Sequence, residues 1–277
     1  MKLSARLFGC LLFFVVAKAA GQVSALKGTW INPEMQAMII NDTSSSSNNN
    51  VLSTKKLSSS FQLQLYGDTL SFQNRYTSSA TNFKKLYTDR YDFKIVRFEQ
   101  HTLEVKPVSK FSSDFFGSDE SILFKRQEYT ADTTIRFEKL VFSSGLCHGS
   151  CPKYEYELTN KKVFRLHIIT AFANHSFIRD STAQGYFIGE VPDSLYRKVI
   201  DALQTCYLRQ LTVEPALCCD APLKKLSIQF NGQKKTVETM FPPVVMTKLL
   251  AVLSQVYEEA PRKRTDRPFD LEPENHK

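Results

Sequence analysis

Long apolar runs are scarce in this chain of 277 residues. The longest, Leu7 to Ala17 (LFGCLLFFVVA), has 11 residues, whereas a bilayer-spanning helix takes about 20. Catalytic signatures are also missing. No G-x-S-x-G, H-E-x-x-H or phosphate-cradling glycine loop occurs, so esterase-type nucleophiles, zinc-helix proteases and nucleotide-phosphate sites have no motif to rest on. Asp180, Glu190 and Asp220 stand singly, without the spacing of an acid–base pair. Asp220, just before Ala221 and Pro222, reads as a turn former. The sequence therefore names no catalytic residue, no metal ligand set and no cofactor. Positive charge is in excess, at +8, yet it is scattered. The one cluster, Arg262–Lys263–Arg264, is diluted by Asp266, Asp270, Glu272 and Glu274. No aromatic-interleaved basic face is present, which argues against nucleic acid as a partner and leaves the charge as a contribution to solubility.

What the chain does have begins at its first residues. Lys2 and Arg6 precede the apolar run, and small residues follow at Ala17, Ala19 and Ala20, the layout of a secretory signal. Residues 1–20 are expected to be removed after Ala19 or Ala20, with Val23–Ser24–Ala25 as a second cleavage option. Cys10 precedes the end of the apolar stretch instead of closing it, which argues against a lipid anchor. A secreted or periplasmic location follows, with no stable membrane insertion. Removal of Lys2, Arg6 and Lys18 lowers the charge to about +5.

Two domains and a tail are expected. Residues 26–128 read as all-β, an antiparallel barrel or sandwich. Phe61, Leu63 and Leu65 alternate with polar residues up to a turn at Gly67–Asp68, and Leu70 and Phe72 resume the period. The stretch from Asn41 to Ser60 is rich in serine and asparagine and reads as a mobile loop. Residues 133–260 read as α+β in the order β-β-β-β-α-β-β-α, an antiparallel sheet with two packed helices. Ile135, Phe137, Lys139 and Val141 are expected to share one side of its first strand, and Asn231–Gly232 is a strong hairpin turn. Leu195, Val199, Ala202, Leu203 and Cys206 line one face of a helix starting at Pro192, and Val244, Leu249, Val252, Leu253 and Val256 line a second. Residues 261–277, charged and with three prolines, are expected to be disordered.

Gly28-Thr29-Trp30, carrying the only tryptophan, resembles the G-x-W start of lipocalin-like barrels. That resemblance implies a pocket at Trp30 for a small apolar ligand. The reading preferred over it is a barrel filled by its own side chains, with Trp30 in the core, since small barrels are usually filled.

Cysteine carries the remaining signal. Without the leader, Cys147, Cys151, Cys206, Cys218 and Cys219 remain, an odd number for an oxidising compartment. Cys206, on its helix stripe, is the expected free thiol. Three readings are open for the other four. They form structural disulfides, either as a short Cys147–Cys151 clip or by cross-pairing with Cys218 or Cys219. Alternatively they hold a metal together with His148, although the vicinal pair is a poor chelator. Or they exchange with partner disulfides. "LCHGSCPKYEYEL" resembles the C-F-G-x-C-P-x-Y signature of a bacterial secreted domain, domain-of-unknown-function family 6438, and "CDAPLKKLSIQFNGQKKTV" resembles that family's later hairpin. The likeness covers roughly 120 residues, about one domain, and it implies no activity. His148 stands where the family has an aromatic residue, and Cys219 stands at its threonine position. The leading expectation is an exported, non-catalytic binding or envelope-associated protein of unknown ligand, with a small apolar molecule and an envelope protein as the candidate partners. The alternative is a thiol-based redox or metal-binding protein using Cys147, Cys151, Cys218 and Cys219.

Overall fold

The computed structural model describes residues 24–43, 47–173, 176–213 and 220–271. The expected signal peptide, Cys218 and Cys219 lie outside them. The chain is mostly antiparallel β-structure, and it packs as two compact units that meet in sequence at Tyr129 and Thr130.

In the first unit, eight strands close into a barrel: β1 (Gly28–Ile31), β2 (Ala37–Ile40), β3 (Asn50–Ser53), β4 (Ser58–Tyr66), β5 (Thr69–Thr77), β6 (Leu86–Phe98), β7 (Thr102–Pro107) and β8 (Ile122–Arg126). Each pairs with the next, and β8 returns to β1 with Trp30 opposite Arg126. Period-two alternation points Leu63, Leu70, Phe72 and Phe93 inward, where they are fully buried. Gly67, at positive φ, makes the tight turn between β4 and β5.

Two expectations for this unit are corrected. Part of the serine- and asparagine-rich stretch is a barrel strand: β3 buries Leu52, and the Asn50 carboxamide accepts from the backbone N–H groups of Asn41 and Asp42. The inward leucine, the asparagine bonded back to residues 41 and 42, and the ladders to β2 and β4 hold it against the composition around it. The unit also contains a helix, α1 (Lys110–Phe116). Ser109 and Ser112 cap its start reciprocally, and Gly117 ends it in the left-handed region. Its Phe116 packs between Phe93 and Phe124 in the barrel interior, at 5.4 and 5.8 Å.

The second unit is a seven-stranded antiparallel sheet. Its strands are β9 (Phe137–Ser144), β10 (Lys153–Thr159), β11 (Val163–Thr170), β12 (Gly185–Glu190), β13 (Lys224–Phe230), β14 (Gln233–Thr239) and β15 (Arg262–Thr265). They lie in the order β14-β13-β9-β10-β11-β12-β15. Helices α2 (Asp193–Gln204) and α3 (Thr247–Glu259) bury Leu195, Val199, Ala202 and Leu203, and Leu249, Val252, Leu253 and Val256, as expected, whereas Cys206 and Val244 are buried just outside the two helices. The fully buried Tyr156 of β10 donates its hydroxyl to the Leu253 carbonyl of α3, at 2.9 Å. Asn231 and Gly232, both at positive φ, turn β13 into β14.

Two further corrections apply here. The buried side of β9 is Phe137, then Leu140, Phe142 and Ser144, not Phe137, Lys139 and Val141. The register with β13 skips Glu138, since Phe230 pairs with Phe137 and Gln229 with Lys139. One bulged residue reverses the alternation beyond it. The second concerns 261–277, expected to be disordered, of which 272–277 lie outside the described residues. Arg262–Thr265 forms β15, paired with β12, and Leu271 is buried. Backbone pairing gives this charged segment a place that its side chains do not announce.

Candidate functional site

Trp30 is enclosed on all sides. It is 0% exposed, its Nε1 donates to the Leu26 carbonyl at 2.7 Å, and Phe98 meets it edge-on. The Arg126 guanidinium lies over the ring at 4.4 Å. That guanidinium also donates to the carbonyls of Gln100, Lys27 and Ala25, which ties the barrel seam to the segment ahead of β1. Arg126 was not singled out in the sequence. Its signal would have been an arginine at the end of the last strand, in register with the tryptophan. An apolar ligand reaching Trp30 must displace this packing.

Cys147 and Cys151 are bonded to each other, with a Cα–Cα separation of 5.5 Å. This is the short clip, so neither cysteine is cross-paired to Cys218 or Cys219. The clip closes the loop between β9 and β10. Gly145 N–H donates to the Leu223 carbonyl and His148 N–H to the Asp220 carbonyl, lacing the loop to the segment that leads into β13. Among the described residues, no three His, Cys, Asp or Glu side chains gather as a metal site. Among the described residues Cys206 is the free thiol; it is buried, and its Sγ lies 3.3 Å from the Leu203 carbonyl.

The clip borders a cleft of about 1160 Å³. Ser150, Cys151 and Pro152 form one wall, and the end of β11 contributes Ile168, Ala171 and Phe172. Thr182 and Ala183 come from a short turn, Phe187 from β12, Tyr257 and Glu258 from α3, and Arg262 and Arg264 from β15. Asp180 builds the turn. Its carboxylate accepts from the N–H groups of Thr182 and Ala183, and its bond from the Thr182 hydroxyl foremost holds its pKa below the ordinary value. The Thr182 carbonyl then accepts from the Arg264 guanidinium, and the Tyr257 carbonyl accepts from that of Arg262. Both guanidiniums sit over Phe187, at 5.6 Å for Arg262 and 5.1 Å for Arg264. Tyr257 is itself stacked on buried Tyr154, with ring centroids 3.7 Å apart.

Of the residues singled out in the sequence, Cys151 reaches this cleft. Trp30 belongs to the barrel, and Cys218 and Cys219 lie outside the described residues. Asp220 sits in a turn, as its sequence context indicates. The sequence assigns the basic cluster to solubility, but its two arginines line the cleft. The signal for that was their i, i+2 spacing, which on a strand puts two side chains on one face.

A smaller cavity of about 400 Å³ lies beside Ser144, Tyr154, Leu223 and Lys225. Among the described residues, no helix is long and apolar enough to cross a membrane. No protein-family model matches the chain, and no curated protein and no solved structure matches it.

Proposed function

We propose that the protein is an exported, non-catalytic binding protein of two domains, a barrel and an α+β domain, whose ligand occupies the cleft beside the Cys147–Cys151 clip. The observation that carries this reading is the cleft itself. It is large enough for a small molecule, and chain segments from β11, β12, β15, α3 and the clipped loop converge on it. The clip's part is to hold the Ser150–Pro152 wall. Backbone amide resonances of the mature protein, followed by NMR across a fragment library, test the reading. Binding is expected to move resonances of Phe172, Ala183, Phe187 and Tyr257, and Ala183→Trp is expected to abolish those shifts. Hits confined to the barrel, or no hits at all, would remove the proposal.

A second reading is thiol–disulfide exchange at the clip. It rests on the half-buried state of both cysteines and on the small loop they close. A loop this short stabilises the fold by only about 2 kcal/mol on the chain-entropy estimate. Replacing both cysteines by serine distinguishes the two readings. If the clip is only a wall, fragment affinity falls and no exchange with a model disulfide is lost, because none was present.

A further inference from the structure

We infer that the cleft grips a single oxyanion, a carboxylate or a phosphate, between Arg262 and Arg264, with the ligand's apolar body lying along Phe187 and Phe172; this rests on the cleft being the binding site. Strand alternation puts residues 262 and 264 on one face of β15, and the register opposes Phe187 to Arg264 and Gly189 to Arg262. The two guanidiniums therefore flank one aromatic ring. Each is fixed by a backbone carbonyl, Tyr257 for Arg262 and Thr182 for Arg264. A carbonyl orients a guanidinium but leaves its charge uncompensated, and each guanidinium has five N–H donors. Among the described residues no carboxylate forms an ion pair with either arginine.

Two oriented forks on one cleft wall, without a carboxylate partner among the described residues, suit the planar, bidentate recognition that arginine gives carboxylate and phosphate. Apolar groups complete the lining: Pro152, Ile168, Ala171 and Phe172. Glu258 limits the charge the cleft can accept. It lies in the same lining, next to Tyr257, and repels additional negative groups. The geometry therefore favours an amphiphile with a single anionic group over one that carries several.

The experiment is an NMR titration of the mature protein with benzoate, phenyl phosphate, benzamide and inorganic phosphate at low ionic strength. Benzoate or phenyl phosphate is expected to move Phe187, Arg262 and Arg264 resonances and to bind about tenfold or more tighter than benzamide, the gain usual for hydrogen bonds to a charged group. Which of the two binds better identifies the oxyanion. Arg264→Lys keeps the charge but loses the fork, and it is expected to erase most of that preference while leaving benzamide unchanged. The wild-type ligand comparison stands even if this variant folds poorly. Equal binding of benzoate, phenyl phosphate and benzamide in the cleft would overturn the oxyanion grip and leave the cleft reading standing. Inorganic phosphate binding as tightly as phenyl phosphate would overturn the apolar contribution. Cleft resonances unmoved by every probe would overturn both this inference and the cleft reading.

Discussion

Cys206 sits just past the end of α2, fully buried against the apolar stripe of that helix. Burial pushes its thiol pKa from 9.0 up to about 12, because a thiolate there would lose its water. A folded pKa above the unfolded one favours the native state fully below pH 9 and less as pH rises toward 12. In that window the unfolded chain ionises and the folded one does not. Stability is therefore expected to fall by up to about 1.4 kcal/mol per pH unit from this group alone. Urea midpoints measured between pH 8 and 11 check this, with Cys206→Ala flattening the slope relative to the parent. A parallel decline in the variant would assign the alkaline loss to other groups, first Tyr154 and Tyr156, whose burial also raises their pKa values. Arg126 works by different means. Its guanidinium covers Trp30 and bonds three carbonyls at the barrel seam. Arg126→Ala is expected to cost about 2 kcal/mol, combining a lost cation–π contact with lost charged hydrogen bonds. It should also change Trp30 fluorescence in the folded protein. A denaturation midpoint and emission spectrum equal to those of the parent would show that the seam does not depend on it.

At the scale of elements, the strand pair β12–β15 decides whether the cleft exists. Gly189 lies where a Cβ would stand 1.9 Å from the Pro261 carbonyl oxygen, a clash with backbone that no side-chain adjustment relieves. Gly189→Ala is therefore expected to detach β15 while leaving β9 to β12 paired. Hydrogen exchange would show this as lost amide protection at residues 262–265 alone, together with lost fragment binding. Retained protection there would mean that the strand accommodates the methyl group by shifting. This element also shows what the sequence could and could not reveal. The hairpins at Gly67–Asp68 and Asn231–Gly232, the two amphipathic helices and the buried Cys206 were legible, because each is written in local periodicity or turn chemistry. β15 was not. R-K-R-T has no apolar face, and its position comes from pairing with β12 and from a glycine that admits Pro261. The β9 bulge escaped for a similar reason, since the skipped Glu138 is visible only against β13. The cleft was half legible: the cysteine motif marked one wall, while the arginine wall depended on a strand that no local pattern announces.

For the whole molecule, the ladders respect the boundary at Tyr129 and Thr130. All eight barrel strands come from residues before it, and all seven strands of the second sheet come from residues after it. The barrel has no exposed edge, because β1 pairs with β8. The second sheet has two edges, β14 and β15, and both carry basic residues: Lys234 and Lys235 on one, Arg262, Lys263 and Arg264 on the other. Such charges discourage edge-to-edge pairing between copies. Each unit also has its own buried core, Trp30, Phe72, Phe93 and Phe124 in one and Phe142, Tyr156, Phe164 and Leu253 in the other. Strand pairing and core burial thus close separately within each unit, and neither needs a strand from the other. Expressing residues 24–129 and 130–271 as separate chains is accordingly expected to give two cooperatively unfolding proteins. The first should keep the buried emission of Trp30, and the second should keep the cleft and its fragment binding. A barrel fragment with solvent-exposed tryptophan emission, or a second fragment without a cooperative transition, would show that the units depend on each other to fold.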